Sequence, residues 1–313
     1  MKLISVVTPC YNEEDNIEEI HKQVKAIFET IPNYRYEHVF IDNASTDKTV
    51  SLLKNIAEQD SHVKIIVNSR NFGHIRSPYH AMLQTTGDAT ILIVADLQDP
   101  PSMIKEFIHK WEQGFKIVVG VKPESQESKL MFFIRRTYYH FVTKIADVKL
   151  IKNFTGFGLY DKAVISILRS HDDPYPYFRG LIAEIGFDIA EVPYNQPRRV
   201  RGVTKNNFYS LYDMAMLGIT SHSKIPLRLA TMAGFALSII SFIMSFVFLT
   251  LKLVFWQSFN LGVAPILIGL FFFSSVQLFF IGLLGEYIAS INTRVMRRPL
   301  VVEKERINFS EQS

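Results

Sequence analysis

Cysteine is almost absent from this sequence, and its scarcity excludes one way of stabilising a fold. Cys10 is the only cysteine among the 313 residues, so no disulfide bond can form within the chain. So little cysteine is typical of proteins in a reducing compartment. Internal repeats and low-complexity tracts are also lacking. The length of 313 residues is enough for one large or two ordinary domains.

An excess of charge of one sign is lacking as well. The 34 lysines and arginines nearly balance the 30 aspartates and glutamates, which leaves a net charge of +4. Domains that bind nucleic acid concentrate basic residues far more strongly. We therefore expect no nucleic-acid partner.

Uncharged runs are the feature that the C-terminal third does have. No charged residue occurs from Leu229 to Leu251 or from Leu253 to Gly285. Each run exceeds the roughly 20 residues that cross a bilayer, so we predict transmembrane helices at about 227–251 and 261–285. The basic flanks, including Lys224 and Arg298, then place both termini in the cytoplasm by the positive-inside rule.

This pattern predicts a division of the chain into four parts. They are a cytoplasmic domain over 1–205, an amphipathic juxtamembrane segment over 206–225, two transmembrane helices within 226–288 and a cytoplasmic tail over 289–313. The protein would be multi-pass, in the inner (cytoplasmic) membrane. The alternative for the amphipathic stretch is an ordinary packing helix of the soluble domain.

One stretch, Ile91–Pro101, organises the N-terminal domain. An apolar run typical of a strand buried on both faces ends in Asp96, Gln98 and Asp99, and a proline pair then stops the strand. Carboxylate and amide oxygens at a strand's carboxyl end suit Mg²⁺ or Mn²⁺. The alternative is a polar turn in which Asp99 caps the next helix.

Strands and helices alternate around that stretch. Short β-branched runs at 2–9, 36–41, 63–67 and 116–121 are separated by segments with helical periodicity. This order predicts an α/β fold with a doubly wound, mostly parallel sheet. Polar residues follow the strands: Tyr11 is suited to stack on a base, Glu13 to accept from a ribose hydroxyl and Asp42 to contact a base edge. Helix capping is the alternative for such residues.

Basic residues are grouped in a later loop. Pro197–Lys205 carries four cations and a glycine, which predicts an anion-binding loop or, alternatively, nonspecific contact with anionic lipid. Arg136, on a predicted helix over 126–147, is also suited to reach a phosphate. The glycines of Asn153–Tyr160 indicate close backbone approach or an unusual φ.

Four of these motifs occur in register with those of a known family. They are Pro9–Glu13, Asp42–Thr49, Asn71–His74 and Asp96–Pro101. The chain resembles family 2 glycosyltransferases of the GT-A fold, and most of all the polyprenyl-phosphate glycosyltransferases, such as dolichyl-phosphate mannose synthase and the bactoprenol glucosyltransferases. The resemblance extends over nearly the whole chain, including the two apolar runs.

The resemblance implies roles for individual residues. It assigns the nucleotide sugar to Pro9, Tyr11, Glu13 and Asp42, the metal to Asp96 and Gln98, and the acceptor phosphate to Arg199 and Lys205. By their position we add Asn12 and Lys122 to the nucleotide-sugar site, and Arg201 and Arg136 to the acceptor-phosphate site. The residues expected to serve catalysis are Asp96, Arg199 and Lys205. Two departures from the family stand out: Val94 replaces a usual acid, and Thr155-Gly156-Phe157 lacks another.

The predicted activity follows from the resemblance and from the chemistry of a phosphate acceptor. A phosphate monoester is mostly dianionic at neutral pH, so it needs no protein base. We predict a membrane-anchored inverting enzyme that moves a sugar, as in UDP-glucose, to polyprenyl phosphate with Mg²⁺ or Mn²⁺, and that forms a homo-oligomer. The alternatives are a glycan-elongating glycosyltransferase and an inactive nucleotide-sugar-binding scaffold.

Overall fold

The computed structural model describes residues 1–122, 151, 153–196, 216–217, 220, 225–255 and 263–309. The strands are β1 Lys2–Cys10, β2 Tyr34–Asp42, β3 Val63–Asn68, β4 Ala89–Leu92, β5 Ile117–Val121, β6 Phe154–Asp161, β7 Ile189–Pro193 and β8 Glu303–Ile307. The helices are α1 Ile17–Glu29, α2 Thr49–Gln59, α3 Gly73–Leu83, α4 Ile104–Glu112, α5 Lys162–Ser170, α6 Phe178–Glu184, α7 Ile225–Val254 and α8 Val263–Val295. A short 3-10 helix, Pro101–Met103, precedes α4.

All eight described strands join one sheet, in the order β7-β5-β6-β4-β1-β2-β3-β8. The pairs β1·β2, β1·β4, β2·β3 and β5·β7 are parallel, whereas β6 and β8 run antiparallel to their neighbours. The predicted α/β fold is confirmed. The sequence pattern did not indicate that β6 separates β4 from β5, because the pairing of distant segments has no local signature.

The two faces of the sheet carry separate halves of the core. Alternate strand residues point to opposite faces, so Val6 and Phe40 pack with α1, α2 and α4, while Val7 and Val39 pack with α3, α5 and α6. The periodicity that predicted α1 is confirmed, because its apolar residues, such as Val24, are buried. Helices on both faces leave the strand ends open for a site.

Two long apolar helices follow this domain. α7 and the part of α8 from Ile268 to Val295 are long and apolar enough to cross a membrane, with mean hydropathies of 2.3 and 2.0. The most apolar stretch of each helix contains no buried residue. Their length and composition agree with the two predicted helices. The predicted helix at 126–147 and most of the predicted juxtamembrane helix at 206–225 lie outside the described residues.

The segment after α8 differs from the predicted tail. The predicted boundary at residue 288 falls inside α8, which continues to Val295. Beyond it, β8 pairs antiparallel with β3 and becomes the edge strand of the sheet. Asn308 Nδ2 donates to the carbonyls of Ala57 (3.0 Å) and Val63 (2.9 Å), so the end of the chain is part of the N-terminal domain.

Candidate active site

The loops that follow β1 and β2 lie side by side because these strands are parallel, with Cys10 opposite Asp42. The backbone N–H of Asn12 donates to Ser45 Oγ at 2.8 Å. In return, Asn12 Oδ1 accepts from the backbone N–H of Thr46 at 2.8 Å. Asn12 therefore holds the two loops together, whatever else it contacts.

Four more of the residues predicted for the nucleotide sugar, Pro9, Tyr11, Glu13 and Asp42, are at the ends of β1 and β2 or on the loops that follow them, whereas Lys122 follows β5. Pro9 is next to the end of β1, and Tyr11 and Glu13 follow it, all partly exposed. The backbone N–H of Glu13 donates to Thr49 Oγ1 at 2.9 Å, and its carboxylate accepts from Asn16 Nδ2 at 2.7 Å. The structure thus brings this predicted group together in one rigid double loop.

Asp42 is the most enclosed member of this group. Its side chain is fully buried at the end of β2. The carboxylate accepts from the backbone N–H of Ser45 at 2.9 Å and from the hydroxyl of the same residue. Burial raises the pKa of Asp42, and the bonds from Ser45 partly oppose that rise. The predicted contact of Asp42 with a base would therefore use the carboxylate lone pairs that do not accept a hydrogen bond from Ser45.

A network of asparagine and serine side chains, which no sequence pattern indicated, lies next to these loops and holds the end of β2 in place. Asn68 Nδ2 donates to Asn43 Oδ1 at 3.2 Å and to Ser77 Oγ at 3.0 Å. Asn43 Nδ2 donates to Asn71 Oδ1 at 2.9 Å. The network joins the ends of β2 and β3 to the start of α3. The sequence feature that could have indicated this network is an asparagine at or directly after the end of each of the neighbouring strands β2 and β3.

The predicted metal ligands leave the chain from one turn after β4. Leu97 has φ of 58°, in the left-handed region, and this turns the backbone N–H of Gln98 onto Asp96 Oδ1 at 3.2 Å. Asp96 and Gln98 are therefore near each other at the open edge of the sheet. β4 is the fourth strand of the eight-stranded sheet and lies between the parallel β1 and the antiparallel β6. It ends at Leu92, so the strand stops well before the proline pair that was predicted to end it.

A cavity of about 110 Å³ lies beside this turn. It is formed where β4, β5 and β7 end and where the antiparallel β6 begins. Its lining residues are Leu92, Val94, Gln98, Asp99, Lys122, Thr155, Gly156, Phe157 and Gln196. The structure thus brings the predicted ligand Gln98 and the predicted Lys122 to one cavity, together with the two positions at which the family's usual acids are missing.

Asp99 and Tyr194 form a buried pair at this cavity. The hydroxyl of Tyr194 donates to Asp99 Oδ1 at 2.5 Å, and both residues are at most 5% exposed. Burial raises the pKa of Asp99, while the Tyr194 bond and the charge of Lys122 oppose the rise. Neither the 3-10 helix nor α4 has a side-chain cap, so Asp99 does not act as the N-cap considered above.

No sequence pattern indicated Tyr194 as a partner in this site. Its ring also packs edge-on against Phe157, with the centroids 5.3 Å apart, and Lys122 Nζ lies 5.8 Å from its centroid. The only sequence signal was its position just after a strand. A tyrosine there has many other possible surroundings.

The glycines of β6 have the two roles that their spacing predicted. Gly156 has φ of +109°, a region that residues with a side chain rarely adopt. At Gly158, a Cβ atom would lie 2.4 Å from the carbonyl oxygen of Val118, so the neighbouring strand β5 leaves room only for glycine. The backbone of β6 can therefore form the cavity wall without side chains filling it.

The donor set fits a divalent cation that is shared with a substrate. Within the described residues, no group of three or more His, Cys, Asp or Glu side chains is placed to hold a metal. Asp96 and Gln98 supply hard oxygen ligands, and Mg²⁺ commonly completes such a site with substrate phosphates and water. The residues present thus fit a metal that arrives with a diphosphate.

The basic residues predicted for the acceptor and for catalysis lie outside the described part of the chain. These are Arg136, Arg199, Arg201 and Lys205. Their roles stay predictions. The preceding strand, β7, ends at Pro193 on the same edge as the cavity, and Gln196 already borders it.

Comparison with known proteins identifies the family of this chain. The profile described as "Glycosyl transferase family 2" matches residues 5–165. The chain is 33% identical over 301 residues to "Uncharacterized glycosyltransferase YkcC" of Bacillus subtilis (strain 168), covering 95% of this chain and 92% of that protein. It is also 33% identical over 304 residues to "Bactoprenol glucosyl transferase" of Shigella phage SfX, covering 97% and 99%.

One solved structure matches part of the chain with a TM-score below 0.5. Glucosyl-3-phosphoglycerate synthase from Mycobacterium tuberculosis, solved with Mn²⁺, uridine diphosphate and phosphoglyceric acid, matches 70% of this chain and 76% of its own, with a TM-score of 0.48 and 18% identity. The family assignment rests on the sequence comparisons, which extend over more than half of the chain for the profile and nearly all of it for the relatives. The chain therefore belongs to glycosyl transferase family 2, and it is a glycosyltransferase.

Proposed function

We propose that the protein transfers a hexose from a nucleotide-diphosphate sugar to polyprenyl phosphate at the membrane surface. The observation that carries this proposal is the similarity to bactoprenol glucosyl transferase, which covers 97% of this chain and thus both apolar helices as well as the domain. A relative of the catalytic domain alone would not favour a lipid acceptor. The sugar nucleotide that we expect first is UDP-glucose.

The double loop after β1 and β2 is suited to hold the nucleoside. Its backbone is fixed by reciprocal bonds between the two loops, such as those of Asn12. Such preorganisation lowers the entropic cost of binding. We assign Tyr11, Glu13 and Asp42 to the nucleoside on the basis of this support and of their position.

The cavity beside Asp96 is suited to hold the transferred sugar. Gln98, Thr155 and Gln196 offer neutral hydrogen-bonding groups, and Lys122 supplies a positive charge near the expected diphosphate. A divalent cation held by Asp96 and Gln98 would neutralise charge on the leaving diphosphate. Inversion at the anomeric carbon then requires only that the acceptor phosphate approach from the opposite side.

The acceptor phosphate does not need a protein base. Its second pKa is about 6, so at neutral pH it is largely a dianion and already a nucleophile. Val94 and Gly156 border the cavity where the family usually has acids, and this arrangement is compatible with such an acceptor. Arg136, Arg199, Arg201 and Lys205 are proposed to attract the phosphate, and Arg199 and Lys205 to align it.

Membrane insertion of α7 and α8 is supported by their length and by their exposed apolar side chains. A helix of 30 residues is about 45 Å long, which exceeds a hydrocarbon core of about 30 Å. Because β8 pairs with β3, the chain after α8 is on the same side as the catalytic domain. Two crossings satisfy that requirement, and the basic flanks favour the cytoplasmic side. Assembly into a homo-oligomer through these helices belongs to the same proposal.

The test is transfer by the purified full-length protein. The protein is incubated with UDP-glucose, a short polyprenyl phosphate and Mg²⁺ or Mn²⁺, and the lipid is analysed by mass spectrometry. Asp96→Ala should abolish the glycosylated lipid, whereas Glu106→Ala, on the exposed face of α4, should leave its rate unchanged. Equal rates for the Asp96→Ala variant and the wild type would refute the role of Asp96.

The two alternatives give different results in the same assay. A panel of other nucleotide sugars identifies the donor if UDP-glucose is not used. Sugar added to a glycan but never to polyprenyl phosphate would favour the elongating enzyme. Nucleotide binding without transfer to any acceptor would favour the inactive scaffold.

A further inference from the structure

Three arginines from distant parts of the sequence meet where α8 ends. Arg70 follows β3, Arg76 is on α3, and Arg298 lies three residues after Val295, the last residue of α8. The guanidinium carbons of Arg70 and Arg76 lie 4.0 Å and 5.4 Å from the ring centroid of Phe72. We refer to Arg70, Arg76 and Arg298 as the arginine cluster.

Arg76 connects the two sides of the cluster. Its guanidinium donates to the carbonyl of Pro299, the residue that follows Arg298. Its Nε atom is buried and has no hydrogen-bond partner in the described part of the chain. Burial lowers the pKa of Arg76, and the nearby charges of Arg70 and Arg298 lower it further.

Two arginines near the end of α8 are paired with carboxylates, whereas those of the arginine cluster are not, within the described ranges of the chain. Arg294 and Arg297, at the end of α8, have Asp173 at 3.6 Å and Asp172 at 3.8 Å. Among the residues that the structure describes, no carboxylate lies within 4 Å of a member of the arginine cluster. Like charges held near a partly buried site repel each other. A bound anion would relieve this repulsion and also satisfy the orphaned donor.

The position of the cluster indicates which anion. The last turns of α8 still present exposed apolar side chains, such as Ile288 and Ile291 at 63% and 59% exposure. From Glu286 onward α8 carries charged as well as exposed apolar side chains, a mixture typical of the membrane interface, and Arg298 follows on the side where the catalytic domain and the lipid headgroups meet. Guanidinium groups bind phosphate oxygens in a bidentate manner, and basic pockets beside membrane helices are typical sites for anionic headgroups.

We propose that the arginine cluster binds the phosphate of an anionic phospholipid headgroup, and the cluster shares no residue with the loop Pro197–Lys205 assigned to the acceptor. The proposal rests on the proposed insertion of α7 and α8 into a bilayer. A free phosphate has the same chemistry, and the experiment below distinguishes the two sources. The site would fix the rotation of the catalytic domain relative to the membrane surface, because Arg70 and Arg76 belong to the domain and Arg298 follows the end of α8.

The test is a lipid titration of the delipidated full-length protein, followed by native mass spectrometry. Phosphatidylglycerol is compared with phosphatidylcholine for the wild type, for R70Q/R76Q/R298Q and for the matched control K22Q/R35Q/K105Q, whose cations are exposed elsewhere on the domain. The wild type and the control should prefer phosphatidylglycerol, and the cluster variant should lose roughly tenfold to a hundredfold in affinity. Because Arg76→Gln also removes the bond to Pro299, the variant R70Q/R298Q keeps that bond and should still lose most of the preference.

Each result has a defined meaning. Equal phosphatidylglycerol binding by the cluster variants and the control would overturn the proposal. Retention of the lipid in the presence of inorganic phosphate supports a headgroup site, whereas displacement by inorganic phosphate, in the wild type only, supports a phosphate site filled from solution. Failure of the wild type to enter nanodiscs of phosphatidylcholine would refute the insertion itself, and with it the headgroup site. Entry into those nanodiscs with no anionic preference refutes the cluster alone.

Discussion

The hydroxyl of Tyr194 donates a hydrogen bond of 2.5 Å to Asp99, and the bond joins the end of β7 to the segment that carries the predicted metal ligands. Both side chains are buried, so the carboxylate has little access to water as a replacement donor. The pair therefore fixes the wall of the cavity next to Gln98. Its removal should affect both the stability of the domain and the activity.

We expect Tyr194→Phe to lower the free energy of unfolding by about 2–3 kcal/mol, because a buried carboxylate loses its donor while the ring packing stays. The rate of sugar transfer should fall as well. The matched control is Tyr34→Phe, which removes a bond to the exposed Glu112 and should cost less than about 1 kcal/mol. Thermal unfolding and the transfer assay give both readings, and equal losses in the two variants would contradict the assignment.

The two glycines of β6 should respond differently to alanine. Gly158→Ala places a Cβ atom 2.4 Å from the carbonyl oxygen of Val118, so the strands must separate, and we expect a loss of about 3 kcal/mol or more. In Gly156→Ala the new Cβ atom has no neighbour nearer than 3.5 Å, so only the φ of +109° is unfavourable. We expect the free energy of unfolding to fall by roughly 1–2 kcal/mol. Thermal unfolding of the two variants measures the order, and the reverse order would show that the β5·β6 spacing adapts.

Asp60 should make stability depend on acid pH. Burial alone would raise the pKa of Asp60, but bonds from His62 and Lys25 lower it to about 2. A carboxylate whose pKa is lower in the folded state stabilises the fold above the unfolded pKa of about 3.9, and this stabilisation disappears as the pH falls through the folded value.

We therefore expect Asp60→Asn to be less stable than the wild type at pH 7, by about 1–2 kcal/mol. The difference should shrink between about pH 4 and pH 2. The difference in the free energy of unfolding is measured across this pH range by monitoring unfolding with tryptophan fluorescence, and Glu106→Gln, at an exposed position, is the control. A difference that does not change with pH would mean that packing, and not charge, accounts for the loss.

Asn308 should anchor β8 more strongly than the ion pair on that strand. Asn308→Gly tolerates the backbone φ of 59° but removes the bonds to Ala57 and Val63, and we expect a loss of about 1–3 kcal/mol. Glu305→Ala breaks an exposed ion pair with Lys54 at 2.7 Å and should cost less than about 1 kcal/mol. Protection of the β3 amides from hydrogen exchange reports on the edge directly, and unchanged protection in Asn308→Gly would contradict this role.

Much of the domain was predictable because its signals are local. The apolar run before Asp96 and the helical period of α1 define elements within a few residues, and parallel strands then require polar residues at one edge. The β1·β2 loop pair follows from that rule. Its reciprocal bonds, such as those of Asn12, add the reason why the loops are rigid.

The features that escaped prediction depend on pairings across long stretches of chain. Asp99 and Tyr194 are 95 positions apart. β8, with the sequence EKERI, has a composition typical of a solvated tail, and it forms a strand because the exposed edge of β3 and hydrogen-bonding partners such as His80 are available. No window of sequence around either segment contains that information.

The return of β8 to β3 also has a consequence for biosynthesis. β3 is made early, whereas its partner is made only after both apolar helices, and the bond between Lys54 and Glu305 joins positions 251 apart. The sheet of the nascent enzyme thus stays one strand short until the ribosome has finished with both helices. If α7 and α8 cross a bilayer as proposed, an insertion error that left β8 on the far side would leave the edge of β3 unpaired, and an unpaired edge is open to aggregation and proteolysis. Under the proposed insertion of α7 and α8, completion of the sheet would thus depend on correct insertion of both helices.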